Sequence, residues 1–294
     1  MLLQPDEHAR KVGRPYSICF RVRVVYAAVL DSRPDSGYRY ESGWASRFGA
    51  ALDTIRINRL SVQSRASQRY WVKQRNPGSR WVISAANTFF RLVRNPVFVL
   101  ADAAAWREWE VWCFRRLNGK DPPAFSHGDA VWIPHIPGDD LAFVAKQARL
   151  QPVHLTAAGT EFRRMHDTWS PEFNGLWSHG DPHLGNVIFE NETGRARIID
   201  FETTHFRRLA AERRHADDLK VFLLDLLGRS SDAEWPENAR IFLQGYGRTR
   251  IIRCLRRNFV MPSGSERLWW AIRTSYLPGA LLRHRIMKLQ AVLP

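Results

Sequence analysis

The sequence predicts an α+β chain with its strands concentrated early and its helices late, and three observations carry that expectation. Short alternating or β-branched runs occupy 52–73 and 130–136. Apolar residues at three- and four-residue spacing mark helices through most of the second half. Between them, residues 178–202 (SHGDPHLGNVIFENETGRARIIDFE) crowd His179, Asp181, His183 and Asn186 ahead of two apolar runs separated by a turn.

Residues 1–50 are punctuated by Pro5, Gly13, Pro15, Pro34, Gly37 and Gly43 and offer at best one short strand at Val22–Tyr26, so they are expected to form a loosely held extension. Ile55, Ile57 and Leu60 alternate with polar residues, and Arg69-Tyr70-Trp71-Val72-Lys73 follows as a second strand. There is room for a helix around 85–93. Ala103–Leu117 is helical in composition, with apolar residues on a broad face. Ala130–Ile136 is a buried strand ending in Pro137-Gly138, with a helix starting after Asp139 or Asp140, either of which can cap it. Helices are expected over Leu155–Trp169 and over Leu209–Leu227, the latter ended by Gly228, and then over 233–246, 250–257 and 266–289.

Of the chain's 294 residues, 45% are hydrophobic and 25% charged, values of a globular protein rather than a disordered one. No apolar run approaches the eighteen or so residues of a membrane span, and arginines interrupt the stretch 16–30, which argues against a signal peptide. A cytoplasmic location is expected. Cys19, Cys113 and Cys254 are odd in number and far apart, which indicates neither a disulfide framework nor a zinc site. The net charge is +15, and from Arg240 onward eleven Lys or Arg face the single acid Glu266. Such a tail attracts anionic partners. With Trp269, Trp270, Ile272, Tyr276, Leu281, Leu282 and Ile286 among its arginines, it either lies on an anionic membrane surface, at the inner face of the cytoplasmic membrane, or closes a core while its arginines face water.

The chemistry is concentrated in residues 178–202. Val187-Ile188-Phe189 and Ile198-Ile199 flank Asn191-Glu192-Thr193-Gly194, the composition of a β-hairpin. Folding it brings Asp181 and Asn186, before the first strand, close to Asp200, after the second. Three oxygen-bearing side chains at one end of a two-stranded element suit a hard cation such as Mg²⁺.

His179-Gly180-Asp181 with Asn186 resembles the H-x-D-x-x-x-x-N catalytic loop of the protein-kinase-like superfamily, and Asp200-Phe201-Glu202 resembles its metal-binding D-F-G. The string HGDPHLGN and Glu202 in place of Gly are similar to the small-molecule branch: aminoglycoside and choline phosphotransferases, and bacterial kinases of lipopolysaccharide core sugars. The resemblance implies a two-lobed fold. A small antiparallel-sheet N-lobe would occupy 51–136 and a mainly helical C-lobe 137–294. It implies ATP and Mg²⁺ as cofactors, Asp181 as catalytic base, and Asn186 and Asp200 as metal ligands. Lys73, in Trp-Val-Lys, would contact the nucleotide phosphates. Its partner would be a Glu on the helix 103–117, with Glu108 favoured over Glu110. Ile133, His135 and Ile136, at the hinge before Pro137-Gly138, would bind adenine. His179 and His183 would support the loop, and so would Asp218, favoured over Asp217, by receiving the loop's backbone amides. No G-x-G-x-x-G precedes Lys73, so the phosphates would be cradled differently.

The implied reaction moves the ATP γ-phosphoryl group to an alcohol on a small molecule or a glycolipid, a lipopolysaccharide core sugar being the most concrete acceptor. A Ser/Thr protein kinase is the alternative, set back by the absence of a Gly-rich loop and of an A-P-E-like segment. A further alternative is an idle kinase-like module that binds an anionic membrane or nucleic acid through its arginines. The intact loop and metal positions count against it, and nucleic acid is the partner the sequence favours least.

Overall fold

The computed structural model describes residues 57–65, 67–274 and 277–293. The expected extension over 1–50, with its strand at 22–26, lies outside them. In chain order the elements are β1 (Asn58–Arg65), β2 (Gln68–Arg75), α1 (Ser79–Leu92), β3 (Val97–Val99), α2 (Ala103–Asn118), β4 (Phe125–His127), β5 (Ala130–Pro134), β6 (Asp139–Asp140), α3 (Leu141–Lys146), α4 (Pro152–His166), β7 (Trp169–Ser170), β8 (Gly175–Leu176), β9 (Val187–Glu190), β10 (Arg195–Ile198), β11 (Thr203–His205), α5 (Ala211–Arg229), α6 (Trp235–Tyr246), α7 (Thr249–Asn258), α8 (Glu266–Arg273) and α9 (Gly279–Val292).

These build an α+β, two-lobed, kinase-like fold. The first lobe centres on an antiparallel sheet of order β1-β2-β5-β4. Alternation along β2 separates two faces. Tyr70 and Val72 are buried on one, and Trp71 and Lys73 line a cleft on the other. Helix α2 begins at Asp102, whose side chain accepts from the Ala105 N–H at 2.7 Å. Its buried residues are Trp106, Glu110, Cys113, Phe114 and Leu117, the stripe that a 3.6-residue period turns toward the sheet. Helix α1 starts at Ser79, earlier than the stretch 85–93 that had room for it, and the Asn87 amide clasps both backbone groups of Val99 in β3 at 2.8 and 2.9 Å.

The chain crosses to the helical lobe through Pro134–Gly138. Asp140, not Asp139, caps the next helix, accepting from the Phe143 N–H at 2.8 Å. Gly138 has φ 144°, and a Cβ there would stand 2.1 Å from the Phe189 carbonyl oxygen. Only glycine allows the crossover to lie this closely on β9, with which β6 pairs, Asp139 opposite Phe189. β9 and β10 form the expected hairpin around the turn 191–194, with Val187 opposite Ile198. β11 leaves the hairpin and pairs with β3.

In the second lobe, Phe162 of α4, Phe222 of α5 and Phe242 of α6 form an aromatic knot with centroids 4.1–5.2 Å apart. Gly228 does not end its helix, as the sequence led us to expect. It lies inside α5, where a Cβ would come within 2.9 Å of the Thr274 carbonyl oxygen, so its smallness admits the end of α8. The long helix expected over 266–289 is two helices, α8 and α9, with Pro278 at the start of the second. Trp269, Trp270, Ile272, Leu282 and Ile286 of this tail are buried in the core. These side chains close the lobe and are not free to enter a membrane surface. Among the described residues no helix is long and apolar enough to cross a membrane.

Candidate active site

The cleft beneath the sheet is lined by Leu60, Trp71, Ile133, Ile136, Ile188 and Ile199, with Lys73, Glu110 and Asp200 at its polar end. Of the three hinge residues picked from the sequence, Ile133 and Ile136 face this cleft and His135 does not. The His135 N–H donates to the Arg69 carbonyl at 2.9 Å and its ring stacks on Trp71, so both are engaged by β2.

Lys73 Nζ lies 2.9 Å from Glu110 Oε1 and 2.6 Å from Asp200 Oδ1. Burial would strip the ammonium of its proton, but the Asp200 and Glu110 carboxylates outweigh it and hold Lys73 well above its ordinary value. The partnership expected of Glu108 falls instead to Glu110. Glu110 is fully buried four residues after Trp106, whereas Glu108 points away from the cleft into an open groove. The helical period carried this signal, since a Glu within the buried stripe needs a cation. Glu202, also fully buried, accepts from Asn58 Nδ2 at 2.5 Å, and burial among carboxylates pushes it up to about 8.

The loop 178–186 is built almost entirely from buried residues. Asp218 of α5 receives two of its backbone amides, His179 N–H at 2.9 Å and Gly180 N–H at 2.7 Å, and also accepts from His166 Nε2 at 3.0 Å. Asp217 lies apart from those amides, paired with Lys220 and His205. His179 accepts the Asp181 N–H on Nδ1 at 3.1 Å and hence donates from Nε2 to the Ile199 carbonyl, 3.0 Å away, tying the loop to the residue before Asp200. His183 accepts the Gly185 N–H on Nδ1 at 3.0 Å, and Asp225, seven residues and two turns beyond Asp218 on α5, accepts the Leu184 N–H at 3.0 Å. Asp225 was missed in the sequence, although its place on the same helical face as Asp218 could have revealed it.

Asn186 donates from Nδ2 to the Asp181 carbonyl at 2.9 Å, and its own carbonyl accepts the Ile199 N–H at 3.0 Å. The bond through Nδ2 leaves its side-chain oxygen able to accept, and the backbone bond sets Asn186 against Ile199, the residue before Asp200. Asp200 has φ 70° and gives one oxygen to Lys73. Among the described residues no group of three or more His, Cys, Asp or Glu is placed to hold a metal, and the two residues that the sequence offered for one, Asp200 and Asn186, carry a carboxylate and an amide oxygen. That set fits Mg²⁺, which takes one or two protein oxygens and completes its shell with water and phosphate.

Asp181 is 5% exposed. Burial pushes its carboxyl up to about 7, against the pull of Arg273. Arg273 Nη2 sits 2.5 Å from Asp181 Oδ1, with its guanidinium over the Trp269 ring. Nothing in the sequence near Arg273 sets it apart from its neighbours. Only the packing of α8 brings the tail to the loop.

Among curated proteins none matches the chain. Residues 131–212, from β5 through the hinge, loop and hairpin to the start of α5, match the model of the phosphotransferase enzyme family, APH, and this match implies a phosphotransferase of the protein-kinase-like superfamily.

Proposed function

We propose that the chain transfers the γ-phosphoryl group of ATP, with Mg²⁺, to an alcohol hydroxyl on a small molecule or glycolipid. The observation that carries this reading is the buried Lys73–Glu110–Asp200 cluster facing the cleft, joined through His179 and Asn186 to the loop bearing Asp181. Phosphoryl transfer asks for positioning and charge neutralisation more than covalent chemistry. Lys73, fixed by Glu110, would bind the α- and β-phosphates, and Ile133 and Ile136 would pack on adenine. Asp200 and Asn186 would hold Mg²⁺, which neutralises charge on the phosphate oxygens. Asp181 would orient the acceptor hydroxyl and take its proton, and a carboxyl raised toward neutrality is a better base than an ordinary one. In this reading His179, His183 and Asp218 hold the loop in shape, and the lobes divide at Ile136–Pro137.

The test is phosphate transfer from labelled ATP to a panel holding lipopolysaccharide core sugars, aminoglycosides and a generic protein, with and without Mg²⁺. Transfer to a hydroxylated small molecule or glycolipid, abolished by Asp181→Asn and Asp200→Asn, is expected. Transfer to the protein alone would make the chain a protein kinase, and turnover that survives both substitutions would end the assigned roles.

A further inference from the structure

On the far side of α2 from Glu110 lies an open groove of about 1590 Å³, walled by the end of α1, by α2 and by the segment after β11. It is larger than the roughly 300–1,000 Å³ of ordinary small-molecule pockets. Its rim is basic: Arg91, Arg94, Arg207 and Arg208 face two acids, Glu108 and Glu172. Glu172 is taken up by Arg207, while Arg91, Arg94 and Arg208 have no ion-pair partner among the described residues. Its floor is apolar. Phe98 stacks on Phe206 with centroids 5.4 Å apart, and Trp109 on Trp112 at 5.3 Å. The Arg208 guanidinium also lies over the Phe206 ring, 5.7 Å from its centroid, which joins the basic rim to the apolar floor. Two buried donors beside the groove, Asn95 Nδ2 and Trp109 Nε1, have no acceptor among the described residues, and an anionic group brings only acceptors.

The geometry points to a second binding site here for an anionic amphiphile, a phosphate or carboxylate carried on an extended apolar body. The charged head sits among Arg91, Arg94 and Arg208, and the apolar body lies along the aromatic floor. This site is independent of the proposed phosphotransfer chemistry and needs neither ATP nor Asp181. Its ligand would touch the outer face of α2, whose inner side carries Glu110, and the segment after β11.

Dodecyl phosphate below its micelle concentration is the probe, titrated into the full chain by calorimetry and followed in parallel by tryptophan fluorescence, beside inorganic phosphate, dodecyl maltoside and a single-stranded oligonucleotide. Saturable binding of dodecyl phosphate is expected, with inorganic phosphate and dodecyl maltoside both markedly weaker. The double change Arg94→Gln, Arg208→Gln, on exposed side chains, should weaken it by about tenfold or more. Leu209→Asp, which places a negative charge in the floor, should weaken it independently. Equal binding of dodecyl maltoside or inorganic phosphate, displacement of the probe by the oligonucleotide, or unchanged affinity in both variants would overturn the proposal.

Discussion

Lys73 and Glu110 meet at 2.9 Å in a fully buried pair that spans the central strand and helix α2 of the first lobe. Removing Glu110 leaves the buried Lys73 ion-paired with Asp200 alone among the described residues and releases its ammonium from the helix. Misplacing a reacting group by about 1 Å costs roughly 10²-fold, so Glu110→Gln should lower phosphate transfer by about that order and also lower the melting temperature. Glu108→Gln, on the opposite face, should leave both close to wild type. The comparison is made by steady-state kinetics and thermal denaturation of the two variants side by side. Equal effects at both positions would break the assignment.

Arg273 pairs with one oxygen of Asp181, and in the proposed reaction the other oxygen would take the acceptor hydroxyl. Both side chains are largely enclosed, 11% and 7% exposed, so the contact is more than a screened surface pair. Without it the carboxylate loses its fixed orientation. Misplacement of a reacting group by about 1 Å costs roughly 10²-fold, and a loss of that order in kcat is expected for Arg273→Gln. KM for ATP should stay unchanged, and Arg273→Lys should recover part of kcat. A normal kcat in Arg273→Gln would show the contact to be incidental.

What the sequence made legible was local. The hairpin, the capping Asp before α3 and the stripe on α5 follow from turn chemistry and from apolar periods of two and 3.6. The loop around Asp181 was readable because its residues lie within nine positions of one another. Contacts made by tertiary packing were not. Arg273 reaches Asp181 across 92 positions, and no pattern near it distinguishes it from ten other basic residues in the tail. Glu110 was within reach, because the buried stripe Trp106–Glu110–Cys113 selects it. A motif spacing favoured Glu108, and the helical period won. Gly228 had the look of a helix stop, yet its role is set by a backbone that arrives from 46 residues further on.

The rings of His166 and His215 stack 3.9 Å apart inside the second lobe. Burial, reinforced by His166, holds His215 down to about 2, and burial with Arg248 and other neighbouring cations holds His166 well below its usual value. Both stay neutral in the fold while the unfolded chain takes up protons below about pH 6.5. The unfolded state then binds more protons, so stability rises with pH and is lost as pH falls below 6.5. At pH 6.5 the unfolded imidazole is half protonated, so moving from pH 6.5 to 5 removes about 1.6 kcal/mol per ring and about 3 kcal/mol for the pair. His215→Gln, whose amide can still donate to the Trp177 carbonyl that His215 now reaches at 3.0 Å, should lose about 1.6 kcal/mol less than wild type over that interval, the opposing raised carboxyls of Asp181 and Glu202 being common to both. Urea unfolding midpoints at the two pH values measure it, and parallel slopes in wild type and variant would refute the assignment.

Gly138 and Gly194 both have positive φ, 144° and 66°, but only one is enclosed. A methyl group at Gly194 would meet nothing within 4 Å, so Gly194→Ala should cost only the backbone strain of about 1 kcal/mol. At Gly138 the same methyl group would collide with the Phe189 carbonyl oxygen at 2.1 Å and forces the crossover off β9. β9 follows Asn186 directly, so the displacement runs straight into the loop that carries Asp181. Gly138→Ala should lose more than about 2 kcal/mol of stability, which for a chain of this size lowers the melting temperature by about 4 °C or more. It should also weaken Mg·ATP binding, because Asn186 moves with its strand. Melting curves of the two alanine variants decide the matter. Equal shifts would mean that the close approach of crossover and hairpin does not hold the two lobes in register.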